Sequence, residues 1–133
     1  MKYILMMQFS IAEWKAGNIS TWPPEDIKAN IDFLRRFHKE LADAGELVGT
    51  QALSGPEGMK VVRAGKDGTP AVSDGPFAES KEFLAGYWIV DVDDPQRAIE
   101  IAARLSALPG PGGAPSNVPI EVRLVMENRS GDW

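Results

Sequence analysis

The feature that most constrains this chain is a strand-length run near its start that is apolar on both sides. Between about Lys2 and Phe9, Ile4 and Met6 alternate with Tyr3, Leu5, Met7 and Phe9, so neither face of an extended segment here suits water. Such a strand needs cover on both faces. The chain has 133 residues, enough for one ordinary domain with a full core.

Helices supply one cover. Pro23-Pro24-Glu25-Asp26 reads as a helix start, because proline suits the first turn and acids complement the positive helix end. Ile27, Ile31, Leu34, His38 and Leu41 follow on one helical face, which Ala44-Gly45 closes. A second helix begins at Asp93-Asp94-Pro95 and buries Ala98, Ile101, Ala102 and Leu105. Further strands are expected from Glu46 to Leu53, Met59 to Ala64, Gly86 to Val92 and Ile120 to Met126. Ala71 to Ser73 makes a short return strand after the turn at Asp67-Gly68. Ser10 to Thr21 is a polar connection, and Pro109 to Pro119, with four prolines and three glycines, is a loop.

The order β-α-β-β-(short β)-α-β predicts an α+β fold, a ferredoxin-like βαββαβ sandwich with an extra short hairpin strand. It forms a single domain over residues 1–126, followed by a tail over residues 127–133. Both helices lie on one sheet face. The other face, carrying large apolar groups from the first strand and from Gly86 to Val92, is too apolar to leave in water. The expected answer is a homodimer packed sheet to sheet.

Composition narrows the chemistry. There is no cysteine, so disulfides, thiolate metal sites and cysteine nucleophiles are excluded, and the one histidine cannot build a His-rich metal site. A formal charge of −5 argues against nucleic-acid binding, which recruits phosphates with a basic stripe. No phosphate-binding glycine fingerprint is present, and neither a metal nor a cofactor is expected. The apolar opening is interrupted at Gln8 and Ser10, too soon for a signal peptide or a membrane span, so a cytoplasmic protein with no membrane contact is expected.

The run Asp74-Gly75-Pro76-Phe77-Ala78-Glu79-Ser80-Lys81-Glu82 resembles the DGPF signature of the YCII-related family, with Ser80 where the family usually has threonine. The likeness continues through Ala85-Gly86-Tyr87-Trp88, through Asp94-Pro95 to Ala103, and into Ile120-Glu121-Val122-Arg123, where Leu124 stands in place of a usual proline. Met1-Lys2-Tyr3 and Ala44-Gly45-Glu46-Leu47 are similar too. This resemblance, to the DGPF branch, implies a dimeric α/β barrel built from ferredoxin-like subunits. Such bacterial proteins are often encoded near extracytoplasmic-function sigma factors, and related barrels include cofactor-free monooxygenases and muconolactone isomerase-like enzymes. A sigma-factor partner is accordingly one expectation, and cofactor-free acid–base chemistry of the isomerase, lyase or cyclase kind on an unknown small molecule is the other.

Asp74 is the candidate base, although turn chemistry alone also explains an Asp-Gly pair. Arg123 and Lys81 are candidates to stabilise an anion. Phe77, Glu79, Tyr87, Trp14 and Glu121 are candidate ligand contacts, each with a plainer reading as packing, a solvated edge or a cross-strand pair. His38 falls on the apolar stripe of the first helix. A half-buried structural histidine is the favoured reading and acid–base work the alternative, because relatives outside the DGPF branch place their helix histidine farther from the closing glycine. Trp14 and Trp22 flank Gly17 in a connection that can cover a pocket mouth.

Overall fold

The computed structural model describes residues 1–127; the expected tail beyond Glu127 lies outside the described residues. Strands β1 (Lys2–Ser10), β2 (Leu47–Ala52), β5 (Glu82–Asp91) and β6 (Ile120–Leu124) form one sheet in the order β2-β5-β1-β6. All of its pairings are antiparallel. Strands β3 (Val61–Arg63) and β4 (Ala71–Ser73) form a separate two-stranded hairpin between β2 and β5. With α2 (Pro24–Asp43) and α3 (Pro95–Ser106) as the crossovers, this is the ferredoxin-like arrangement with an added hairpin.

Register assigns the two faces. Leu5 lies opposite Trp88 on β5 and Val122 on β6, and these side chains face the helices. Leu5, Trp88 and Val90 join Phe37 and Leu41 of α2 and Ala98, Ile101 and Leu105 of α3 in one buried core. Ile4 lies opposite Ile89 and Arg123, while Met6 lies opposite Tyr87 and Glu121. These residues make the second, helix-free face, as the alternation of β1 predicts.

Two expectations need correction. Ser10 to Thr21 is not a plain connection, because Ile11–Gly17 forms a helix, α1, followed by a short 3₁₀ turn at Ile19–Thr21. Its start is a capping box: the Ser10 hydroxyl accepts from Glu13 N–H, and the Glu13 carboxylate accepts from Ser10 N–H at 2.9 Å. The stripe on α2 is also rotated. Ile31 is 40% exposed, whereas Phe37 is 1% exposed and stacks with Phe33 at 5.9 Å between ring centroids. Turning the phenyl rings inward buries more apolar area than turning Ile31 inward. It also brings the neighbouring line Asn30, Leu34 and His38 to the edge of the core.

No described helix is long and apolar enough to cross a membrane.

Candidate functional site

A cavity of about 710 Å³ lies between α2 and one end of the sheet. Four parts of the chain wall it. Asn30, Leu34 and His38 come from α2, and Thr50, Ala52, Gly86 and Trp88 come from β2 and β5. Trp14, Gly17, Ile19 and Trp22 come from α1 and the turn after it, and Pro111, Ser116, Asn117, Val118 and Pro119 come from the proline-glycine loop. The size suits a small organic molecule, and the walls are mostly apolar with a few polar groups, as ligand cavities usually are.

Each wall is held by specific bonds. The N-terminal end of α1 docks through Ile11 N–H to the Lys81 carbonyl at 2.9 Å and Ala12 N–H to the Glu79 carbonyl at 3.0 Å. Trp14 packs edge-on against Phe83 with centroids 5.6 Å apart, and its indole N–H donates to Glu57 at 2.8 Å. Gly55 lets the Trp14 ring come close: a Cβ there would lie 2.7 Å from the indole. The loop is pinned to α2 by Asn30 Nδ2 donating to the Pro109 carbonyl and Gly112 N–H donating to Asp26, both at 2.9 Å. Ser106 adds a bond to the Val118 carbonyl at 2.6 Å.

His38 is the titratable side chain set deepest in this wall. Trp88 Nε1–H donates to His38 Nε2 at 2.8 Å, and burial holds the imidazole below its ordinary pKa. Glu13 also lines the cavity, with its carboxylate engaged in the capping box. Among the described residues no group of His, Asp and Glu is arranged to hold a metal ion.

The sequence-derived candidates fall into three places. His38 and Trp14 line the large cavity. Asp74 and Phe77 line a smaller cleft of about 170 Å³ on the far side of Trp14, with Lys15 and Glu57. There the Asp74 side chain is 63% exposed and pairs with Lys60 at 3.1 Å. Lys81 lies over the Phe77 ring at 5.6 Å, and Glu79 pairs with Lys15 at 2.7 Å. Gly75 at φ +87° makes the turn that brings Phe77 back over it, with the ring 3.1 Å from where a Cβ would stand. Tyr87, Glu121 and Arg123 occupy the helix-free sheet face, where Gln8 donates to Glu121. The candidates therefore do not converge on one centre.

Several polar cavity residues are not marked by the sequence pattern, among them Asn30, Thr50 and Asn117. Of these three, only Asn30 could be found from spacing, because it lies two helical turns before His38 with Leu34 between them. Thr50 and Asn117 come to the cavity through long-range packing.

Comparison with known proteins gives two findings. Residues 1–120 match the model of the YCII-related domain. The chain is also 29% identical over 113 residues to an uncharacterised protein of Rhizobium meliloti (strain 1021), covering 85% of this chain and 86% of that relative.

Proposed function

The chain belongs to the YCII-related family, and we propose that it is a small-molecule-binding protein whose ligand occupies the cavity between α2, the sheet, α1 and the proline-glycine loop. The observation that carries this reading is the cavity itself: about 710 Å³, walled by aromatic and aliphatic groups and by a few polar ones. The fuller reading adds cofactor-free proton transfer on the bound molecule. Asp74 is its candidate base, across Trp14 in the smaller cleft. The exposure of Asp74 and its pairing with Lys60 weigh toward binding over catalysis at that carboxylate.

Self-association belongs to the same proposal. The helix-free face carries Ile4, Met6, Tyr87 and Ile89 beside Glu121 and Arg123. An apolar sheet face with a charged pair at one edge suits a second copy of the chain packed sheet to sheet.

Native mass spectrometry of protein purified from its own host tests the cavity. The expected result is a small organic molecule released on activation from wild-type protein and much reduced in a Leu34→Trp variant, whose indole obstructs the space. Empty wild-type protein, or equal ligand in both, overturns the reading. A ligand that is bound but never turned over, even at high protein concentration, would favour a regulatory role, such as one beside a sigma factor, over an enzyme.

A further inference from the structure

The Trp88 indole has one N–H and no acceptor. Since it points that N–H at His38 Nε2 from 2.8 Å, this ring nitrogen must present a lone pair. The imidazole is then neutral and carries its proton on Nδ1. Protonating Nε2 would set two N–H groups against each other. Among the described residues nothing accepts from Nδ1, and the atom is not sealed in, because no buried side-chain nitrogen or oxygen lacks a hydrogen bond. His38 therefore keeps one N–H to offer within a cavity wall.

Asn30 complements it. Its Nδ2 donates to the Pro109 carbonyl, which can only accept, so Oδ1 is left as an acceptor. The two residues stand about 12 Å apart along α2 at the usual rise per residue, with apolar Leu34 between them. Among the described residues no lysine or arginine lines the cavity to neutralise an anion, and the lining carboxylate, Glu13, has one oxygen engaged by the Ser10 N–H.

We propose that the cavity selects an uncharged organic molecule bearing a carbonyl-type acceptor oxygen, and that His38 Nδ1–H is the donor that recognises this oxygen. The proposal rests on the cavity reading above and names the ligand class and the residue that selects it. Trp88 is a positioning residue: it sets the tautomer. In this tautomer His38 is a donor and not a base, since Nε2 is occupied and Nδ1 already holds a proton.

The test has two arms. In the first, the ring ¹⁵N shifts of the single histidine are read in wild-type protein at pH 7.5, with no ligand added. A neutral ring protonated at Nδ1 is expected, and protonation at Nε2 overturns the proposal. In the second, the fluorescent aromatic ketone prodan is titrated alongside 2-dimethylaminonaphthalene, which lacks the carbonyl. Losing one hydrogen bond is expected to weaken prodan binding about tenfold in His38→Leu and to shift its emission to the blue. His38→Gln, which can accept from Trp88 and still offer an N–H, is expected to restore most of that loss. The ketone-free probe should change less than about twofold in either variant, because it makes no such bond. If both probes respond alike to His38→Leu, the donor role is overturned while the cavity reading stands. If neither probe binds wild-type protein, the cavity reading falls and the proposal falls with it.

Discussion

Asn30 donates its side-chain amide to the Pro109 carbonyl at 2.9 Å, tying the second turn of α2 to the start of the loop that walls the cavity. Asn30 is 6% exposed, so water cannot readily replace this bond. Asn30→Leu should cost about 1–2 kcal/mol, the usual penalty for leaving a buried polar partner unsatisfied. Amide hydrogen exchange should quicken over residues 110–118 while the core amides of β1 and β5 stay protected. Unchanged exchange in the loop would show that Asn30 does not hold it.

Glu46 and Arg97 make a two-pronged pair, with both N–O distances at 2.8 Å and the Glu46 side chain 17% exposed. The guanidinium holds the Glu46 carboxyl below the usual glutamate range. A carboxyl with a depressed folded pKa binds fewer protons when folded than when unfolded. Its stabilisation is therefore present above the unfolded value, near 4.3, and is lost as pH falls through the folded value. Glu46→Gln should lower stability by about 1 kcal/mol at pH 7 and flatten the acid limb of the stability profile. Urea unfolding at several pH values checks both effects.

Burial likewise holds His38 below its ordinary pKa. The unfolded chain then takes up the imidazole proton first as pH falls. The contribution is complete above about 6.5 and is lost as pH drops through the folded value. Wild-type protein should lose stability below that point, and His38→Gln should remove this part of the pH dependence. This is the only histidine in the chain, so the assignment is direct. Parallel profiles for the two proteins would refute it.

Ile89 sits on the helix-free face opposite Ile4 and Gly49. Ile89→Lys should turn a dimer into a monomer in light scattering without loss of the folded spectrum, because a charge at the centre of an apolar interface cannot be hydrated. A wild-type protein that is monomeric at high concentration would end the sheet-to-sheet proposal.

Asp74→Asn should change stability by less than about 1 kcal/mol, since the Asp74–Lys60 pair is largely exposed. A larger loss in thermal unfolding would mean that the DGPF turn depends on this carboxylate.

Much of this architecture could be read in the chain because its signals are local. Strict alternation in β1 separates Ile4 and Met6 from Leu5 and Met7, and pairing with β5 and β6 preserves that division. The stripe Ala98, Ile101, Ala102 and Leu105 is buried as its spacing requires. The capping box at Ser10 and Glu13 was equally local, but the polar, glycine-containing stretch around it masks the seven-residue helix it begins.

The site is another matter. Sequence alone determined the order of the strands and of the two crossover helices, the two-faced sheet and the turn around Asp74, because periodicity and turn chemistry act over a few residues. Tertiary structure decided the rotation of α2, which turns Phe37 into the core and brings Asn30, Leu34 and His38 to the cavity wall. It also set Trp88 against His38, fifty positions away in the chain, and closed the wall with the proline-glycine loop. Competition among side chains for one core selects that rotation, and no local pattern along the helix records the outcome.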